Sequence, residues 1–183
     1  GNRWPLPVGK GLFMADKPES TFLVNASSDP IILKIQGRAN YLNCAPISRF
    51  FEEMTSAGKR HIVVDFEACT GMDSTFLGII AGAALEMQRQ QPPGTLTLCR
   101  LGERNLELIR NLGLHRLVKV DSGEFPMSFD EEQVQPVDAD TQQQIADART
   151  ILKAHENLVE TDKENANRFE DVLSFLKKQV EEQ

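Results

Sequence analysis

The chain has 183 residues, 40% hydrophobic and 26% charged, which is enough apolar material for one sizeable core, and the length suits one domain plus an appendage better than two full domains. Twenty-seven acidic against 20 basic side chains give a net charge of −7. That balance provides no basic footprint for nucleic acid or anionic lipid, since phosphate binding needs clustered Lys and Arg.

Residues 1–20 carry Gly, Pro and Lys without apolar periodicity and read as a flexible leader, with Trp4 as a tail residue rather than a docking anchor. Met14 looks like a natural start, so Gly1–Phe13 is expected to be an added or upstream stretch. Thr21–Val24 and Ile31–Ile35 are short β-branched or aromatic runs around a turn-like segment, 25–30, and predict a β-hairpin or a pair of sequential strands. Between Asn43 and Ala57, the spacing of Ile47, Phe50, Phe51 and Met54 predicts a helix that Gly58 stops. His61–Phe66 reads as a buried strand, followed by a turn over Glu67–Met72.

Asp73-Ser74 is a good N-cap pair for a helix from about Ser74 to Gln90, ended by Gln91-Pro92-Pro93-Gly94. A strand over Thr95–Cys99, a short helix over Glu103–Leu112 stopped by Gly113, and a last strand over Leu117–Val120 complete the pattern. Strands alternating with helices imply parallel strands with helical crossovers, an α/β domain over residues 21–120.

Residues 121–137, with two prolines, a glycine and five acidic side chains, read as a linker. From Asp138 to Gln183 there is neither Gly nor Pro, and a heptad runs through Ile145, Ala148, Leu152, His155, Val159, Asp162, Ala166, Phe169, Leu173, Leu176 and Val180. His155, Asp162 and Ala166 weaken its centre, so two shorter helices breaking near Glu160–Asn165 are an alternative to a continuous one. The extension is either a coiled coil that makes a homodimer or an amphipathic arm folded on its own domain. It carries 11 acidic and 6 basic side chains.

Reactive groups do not converge. The sequence has no phosphate-binding GxxxxGK[ST], no HExxH and no GxSxG, and no enzyme is expected. Cys44, Cys69 and Cys99 are odd in number and lack a CxxC, which argues against a disulfide framework or a structural zinc; they are expected to be buried small hydrophobes. His61, His115 and His155 read as packing or surface residues. Gly78 and Gly82 are expected to let their helix pack closely on the sheet. The longest apolar run, Phe76–Leu85, falls far short of the roughly 18–20 residues of a membrane span. No secretory signal opens the chain, so the cytoplasm is the expected location, with neither metal nor cofactor.

The segment from Asp65 to Gly78 stands out. A buried strand ends, a loop follows, and Ser74 and Thr75 open a helix after Asp73. A phosphate is well tolerated there, facing free N–H groups and the positive end of the helix dipole. The plainer alternative is that these residues only cap the helix, and the two readings are compatible.

Two blocks carry a family resemblance. Ile31-Ile32-Leu33-Lys34-Ile35-Gln36-Gly37-Arg38-Ala39-Asn40 looks like a strand with a G-x-x-[DN] turn. Val63-Val64-Asp65-Phe66 followed by Met72-Asp73-Ser74-Thr75-Phe76-Leu77-Gly78 is similar to a D-[ST]-[ST]-x-[LM]-G signature. Over roughly Thr21–Val120 the chain thus resembles the STAS domain, the family of bacterial anti-sigma-factor antagonists. The resemblance implies a mixed, mainly parallel sheet with helices packed on it, here followed by a C-terminal helical extension.

It further implies a partner that is both Ser/Thr kinase and anti-sigma factor, a phosphatase that reverses the modification, and control of transcription by partner switching. Thr75 is the implied phosphate acceptor, with Ser74 the alternative. Asn40, Asp73, Ser74, Thr75 and Phe76 are the implied partner-binding residues. Phe76 stands where the family is usually small, and Asn40 replaces a commoner acid. The alternative role is an unphosphorylated scaffold assembled through its C-terminal helix; an accessory to small-molecule or lipid transport draws only on the breadth of the family.

Overall fold

The computed structural model describes residues 21–121, 134–137 and 145–182. The leader over 1–20, most of the linker and the first residues of the extension lie outside the described residues. Strands β1 (Phe22–Asn25) and β2 (Ile31–Ala39) precede helix α1 (Ala45–Ser56), then strand β3 (His61–Met72) and helix α2 (Ser74–Gln88). Strand β4 (Thr95–Cys99), helix α3 (Glu103–Asn111), a 3-10 turn over Leu114–Arg116 and strand β5 (Lys119–Asp121) follow. After β6 (Gln135–Pro136) come three helices: α4 (Ala148–Thr161), α5 (Glu164–Arg168) and α6 (Glu170–Glu181).

The sheet order is β5-β4-β3-β2-β1-β6. The pairs β2–β3, β3–β4 and β4–β5 are parallel, while β1 runs antiparallel to β2 and β6. This is the mixed, mainly parallel sheet that the sequence implied. Crossover helices explain it, because parallel neighbours cannot be joined by a tight turn. The predicted stop of α1 has a defined geometry: Gly58 adopts φ 81°, its N–H donates to Thr55 O, and Lys59 N donates to Met54 O. Those two bonds form a Schellman cap, which needs a residue tolerant of positive φ.

Several details differ from the sequence reading. The turn expected over Glu67–Met72 is instead the continuation of β3, which pairs Gln36↔Ala68 through Ala39↔Met72 after register shifts in β2. Pairing with a lengthened β2 overrides the turn-like local composition. Gln135–Pro136, inside the stretch read as linker, forms an edge strand on β1, a position where proline is tolerated.

The extension folds back rather than standing away. Ala154 and Leu158 of α4 belong to the same buried cluster as Leu33, Val64 and Ile80 of the sheet domain. Helix α4 packs on α2, and α6 packs on α4. The coiled-coil dimer reading is therefore corrected at α4, whose apolar face is occupied by its own domain. Its buried residues are Ala154, His155, Asn157 and Leu158, whereas heptad positions Leu152 and Val159 are only half-buried and Ile145 and Ala166 are exposed. The helix break falls at Asp162, which is extended (φ −151°, ψ 119°) and whose Oδ1 accepts from Glu164 N at 3.0 Å.

The glycines of α2 explain how the arm comes so close. A Cβ on Gly78 would lie 2.5 Å from the Ala154 carbonyl carbon and 2.7 Å from its Cβ, and one on Gly82 would meet the Asn157 amide. The small-residue stripe thus faces α4, not the sheet as expected from sequence.

Candidate functional site

The signature residues sit where β3 gives way to α2. Asp73 is the N-cap, with φ −110° and ψ 176°. Its Oδ1 accepts from Phe76 N at 2.9 Å, the bond that makes aspartate a favoured cap. Its Oδ2 accepts from Tyr41 N at 2.9 Å, so one carboxylate ties the helix to the turn after β2.

That turn is ordered by side-chain amides. Asn40 Oδ1 accepts from Leu42 N at 2.9 Å, and Asn43 Oδ1 accepts from Asn40 N at 3.0 Å. Asn43 Nδ2 donates to Arg38 O at 2.8 Å. The two sequence-predicted blocks, Asn40 and Asp73–Thr75, thus meet in one place. Tyr41 and Leu42 stand exposed beside them, at 45% and 44%.

The hydroxyls are less open than the sequence suggested. Thr75 is buried, with 4% of its surface exposed. Ser74 is half-buried, and its Oγ lies 2.8 Å from His155 Nε2. His155 Nδ1 faces the Ile151 carbonyl at 2.8 Å and must donate to it, since a carbonyl only accepts, which leaves Nε2 to pair with the Ser74 hydroxyl. His155 is itself buried, with its ring edge-on to Phe169 at 5.0 Å.

Phe76, expected on the docking surface, is fully buried and stacks on Phe22 with ring centroids 5.9 Å apart. It is corrected to a core residue: the third position of α2 turns inward, and a ring there wedges the helix onto β1.

Sequence reasoning missed the arm's contribution. Besides His155, Asn157 Nδ2 donates to Gly78 O at 3.1 Å. Ala146 N donates to Tyr41 O at 2.7 Å, and Glu160 pairs with Arg89 at 2.9 Å. Two polar residues, His155 and Asn157, on an otherwise apolar helix face were the available signal.

A second polar centre, at the start of the singled-out segment, serves the scaffold. Asp65 is fully buried and is gripped by Arg100, whose Nε donates to Oδ1 at 3.0 Å and whose Nη2 reaches Oδ2. Asp65 in turn holds the Arg100 guanidinium above its ordinary pKa. The cysteines are free and buried. Burial, reinforced by the Asp73 charge, pushes the Cys44 thiol up to about 12. Burial and then Asp65 do the same to Cys99, and burial raises Cys69. None offers a nucleophile near neutral pH. Among the described residues no group of His, Cys, Asp and Glu could hold a metal ion, and no helix is long and apolar enough to cross a membrane.

A mixed, mainly parallel sheet whose central strand delivers a capped, hydroxyl-bearing helix start defines an STAS-type domain. The family model described as "Mlab, STAS domain" matches residues 22–119, more than half of the chain, and the chain belongs to the STAS-domain family. Among solved structures, it is similar to a protein described as an anti-sigma factor antagonist from Thermotoga maritima, at 22% identity over 50% of this chain and 79% of that one, with TM-score 0.46. It is also similar to the anti-sigma factor antagonist SpoIIAA in its unphosphorylated form, at 17% identity over 61% and 92% of the two chains, with TM-score 0.46. The phosphorylated form of Bacillus SpoIIAA matches at 17% identity over 56% and 93%, again with TM-score 0.46.

Proposed function

We propose that this chain is an anti-sigma-factor-antagonist-like regulator of transcription that acts in the cytoplasm. It binds a Ser/Thr kinase anti-sigma factor through the start of α2 and the neighbouring Asn40–Asn43 turn. Phosphorylation at Thr75, or alternatively Ser74, ends that binding, and a phosphatase restores it. The reading is supported by one observation: Asp73 bonds both Phe76 N and Tyr41 N, so the signature-bearing start of α2 and the turn are held side by side. A phosphate there adds about −1.5 to −2 charges beside Asp73. In a close interface that charge is repelled and costly to desolvate unless paired.

Phosphopeptide mapping of the protein from growing and stressed native cells tests this directly. Trypsin cuts after Arg60 and Arg89 and nowhere between, so a single peptide carries Thr70, Ser74 and Thr75. Phosphate that changes with condition supports the switch. Under the same reading, Thr75→Asp abolishes partner binding and Thr75→Ala preserves it; two variants that both bind like wild type refute it.

Burial of Thr75 favours a second reading, a scaffold that works without phosphorylation. Helix α6 exposes Phe175 and Val172, at 62% and 39%, and assembly through them would make Phe175→Asp monomeric in light scattering. Equal masses for wild type and variant refute that route.

A further inference from the structure

We propose that helix α4 occupies, within the same molecule, the face by which the domain meets its partner, so that both docking and phosphorylation require the arm to leave. This deepens the partner-switching reading above and rests on it. The arm follows that face from end to end. Ala146 N holds the Tyr41 carbonyl, His155 holds the Ser74 hydroxyl, and Asn157 holds the Gly78 carbonyl. Glu160 reaches Arg89 at the far end of α2.

The contact is built for close fit rather than passing adhesion. A methyl on Gly78 would run into the Ala154 backbone and one on Gly82 into the end of the Asn157 side chain, so the helices meet at close range and no partner segment fits between them. Asn165 of α5 fastens the next turn, donating to Leu112 O at 3.0 Å and Leu158 O at 2.7 Å.

Phosphoryl transfer makes the cover consequential. The acceptor oxygen must line up with the γ-phosphate and its leaving oxygen, and its proton must pass to the kinase's own base. With the arm in place, the Ser74 hydroxyl is engaged in a hydrogen bond with His155 and Thr75 is buried, so neither hydroxyl can be presented. With the arm off, Ser74 loses its His155 partner at the start of α2. Any signal that frees α4 therefore makes the switch competent, and a bound partner holds the arm away.

The test uses the full chain in two further states. Ala154→Arg cannot fit against Gly78 and opens the arm. Gly82→Cys/Asn157→Cys locks it: the Asn157 Cγ, which marks where a cysteine sulfur would sit, lies 3.2 Å from a Cβ on Gly82, close to the roughly 3 Å from one sulfur to the far Cβ that an S–S bond of about 2.05 Å gives. The lock is formed with oxidised glutathione and released with dithiothreitol, so the same protein serves as its own control. Each state is incubated with ATP and a soluble extract of native cells, and phosphate at Ser74 and Thr75 is followed in the 61–89 peptide.

The expected order is opened, wild type, locked. An arm that is open about 1–10% of the time gives an increase of about 10–100-fold on opening. The lock is expected to reduce phosphorylation below a tenth of its reduced form. A locked protein modified as fast as its reduced form overturns the arm's role and leaves the switch standing. No phosphate in any state, reduced or opened, overturns the switch itself and this proposal with it.

Discussion

Replacing Gly78 by alanine reads out the docking of α4 through two opposed effects. Alanine is about 1 kcal/mol better than glycine in a helix interior, so on an unoccupied α2 the variant would be more stable. In the folded chain the new methyl would lie 2.5 Å from the Ala154 carbonyl carbon and closer still to its oxygen. These are backbone atoms that no side-chain rotation can move, so α4 must retreat by roughly 1 Å. Overpacking of that kind costs about 1–3 kcal/mol. Retreat also strains the Asn157–Gly78 bond, which contributes about 1 kcal/mol.

The net expectation is a loss of about 1–3 kcal/mol, or a Tm lower by about 2–12 °C for a chain of this size. Gly82→Ala is the internal comparison. Its methyl meets only the end of the Asn157 side chain, which can swing aside, so its effect should lie near zero. Urea unfolding followed by circular dichroism measures both. A Gly78→Ala protein stabilised by about 1 kcal/mol would refute the packing of α4 on α2.

The Ser74–His155 bond should couple energetically: in a Ser74→Ala, His155→Ala cycle by urea unfolding, an interaction of about 0.5–1.5 kcal/mol is expected, and additive losses would refute the bond. Asp73→Ala should destabilise the protein by about 1–2 kcal/mol through loss of the cap, and hydrogen exchange should quicken at both Phe76 and Tyr41; quickening at Phe76 alone would show that the turn is not tied to the helix. At pH 8, iodoacetamide should alkylate Cys44 and Cys99 about a thousandfold more slowly than an ordinary thiol, since pKa values near 12 leave that much less thiolate; rapid reaction in the folded protein would contradict their burial. Asp147 caps α4 by accepting from Thr150 N at 2.8 Å, and that bond holds its carboxyl below the ordinary value of 3.8. Its contribution is present above the unfolded value and lost as pH falls through the folded one, so α4 amides should exchange faster at pH 3 relative to pH 6 in wild type than in Asp147→Asn, after correction for intrinsic rates. An equal pH effect in both proteins would remove Asp147 as the cause.

The sequence by itself determined the alternation of strands and helices, the stops at Gly58 and Gly113, and the Asp73 cap. These depend on local rules: periodicity, the tolerance of glycine for positive φ, and the hydrogen bond from a carboxylate to the first turn of a helix. It also located the signature, and with it the likeness to the STAS family. The break in the extension was legible as one of two alternatives, because His155, Asp162 and Ala166 weaken the centre of the heptad.

Only the tertiary structure decided the rest. Whether residues 67–72 turn or extend depended on β2 lying alongside, and Phe76 reads as docking or core until Phe22 is seen beneath it. The roles of Gly78, Gly82, His155 and Asn157 needed two helices some 80 residues apart to touch. Hydrophobic periodicity says that a helix face will be buried but not by what. Here the cover is the chain's own arm, because two glycines on α2 leave a groove that α4 fills and two polar side chains fix its register.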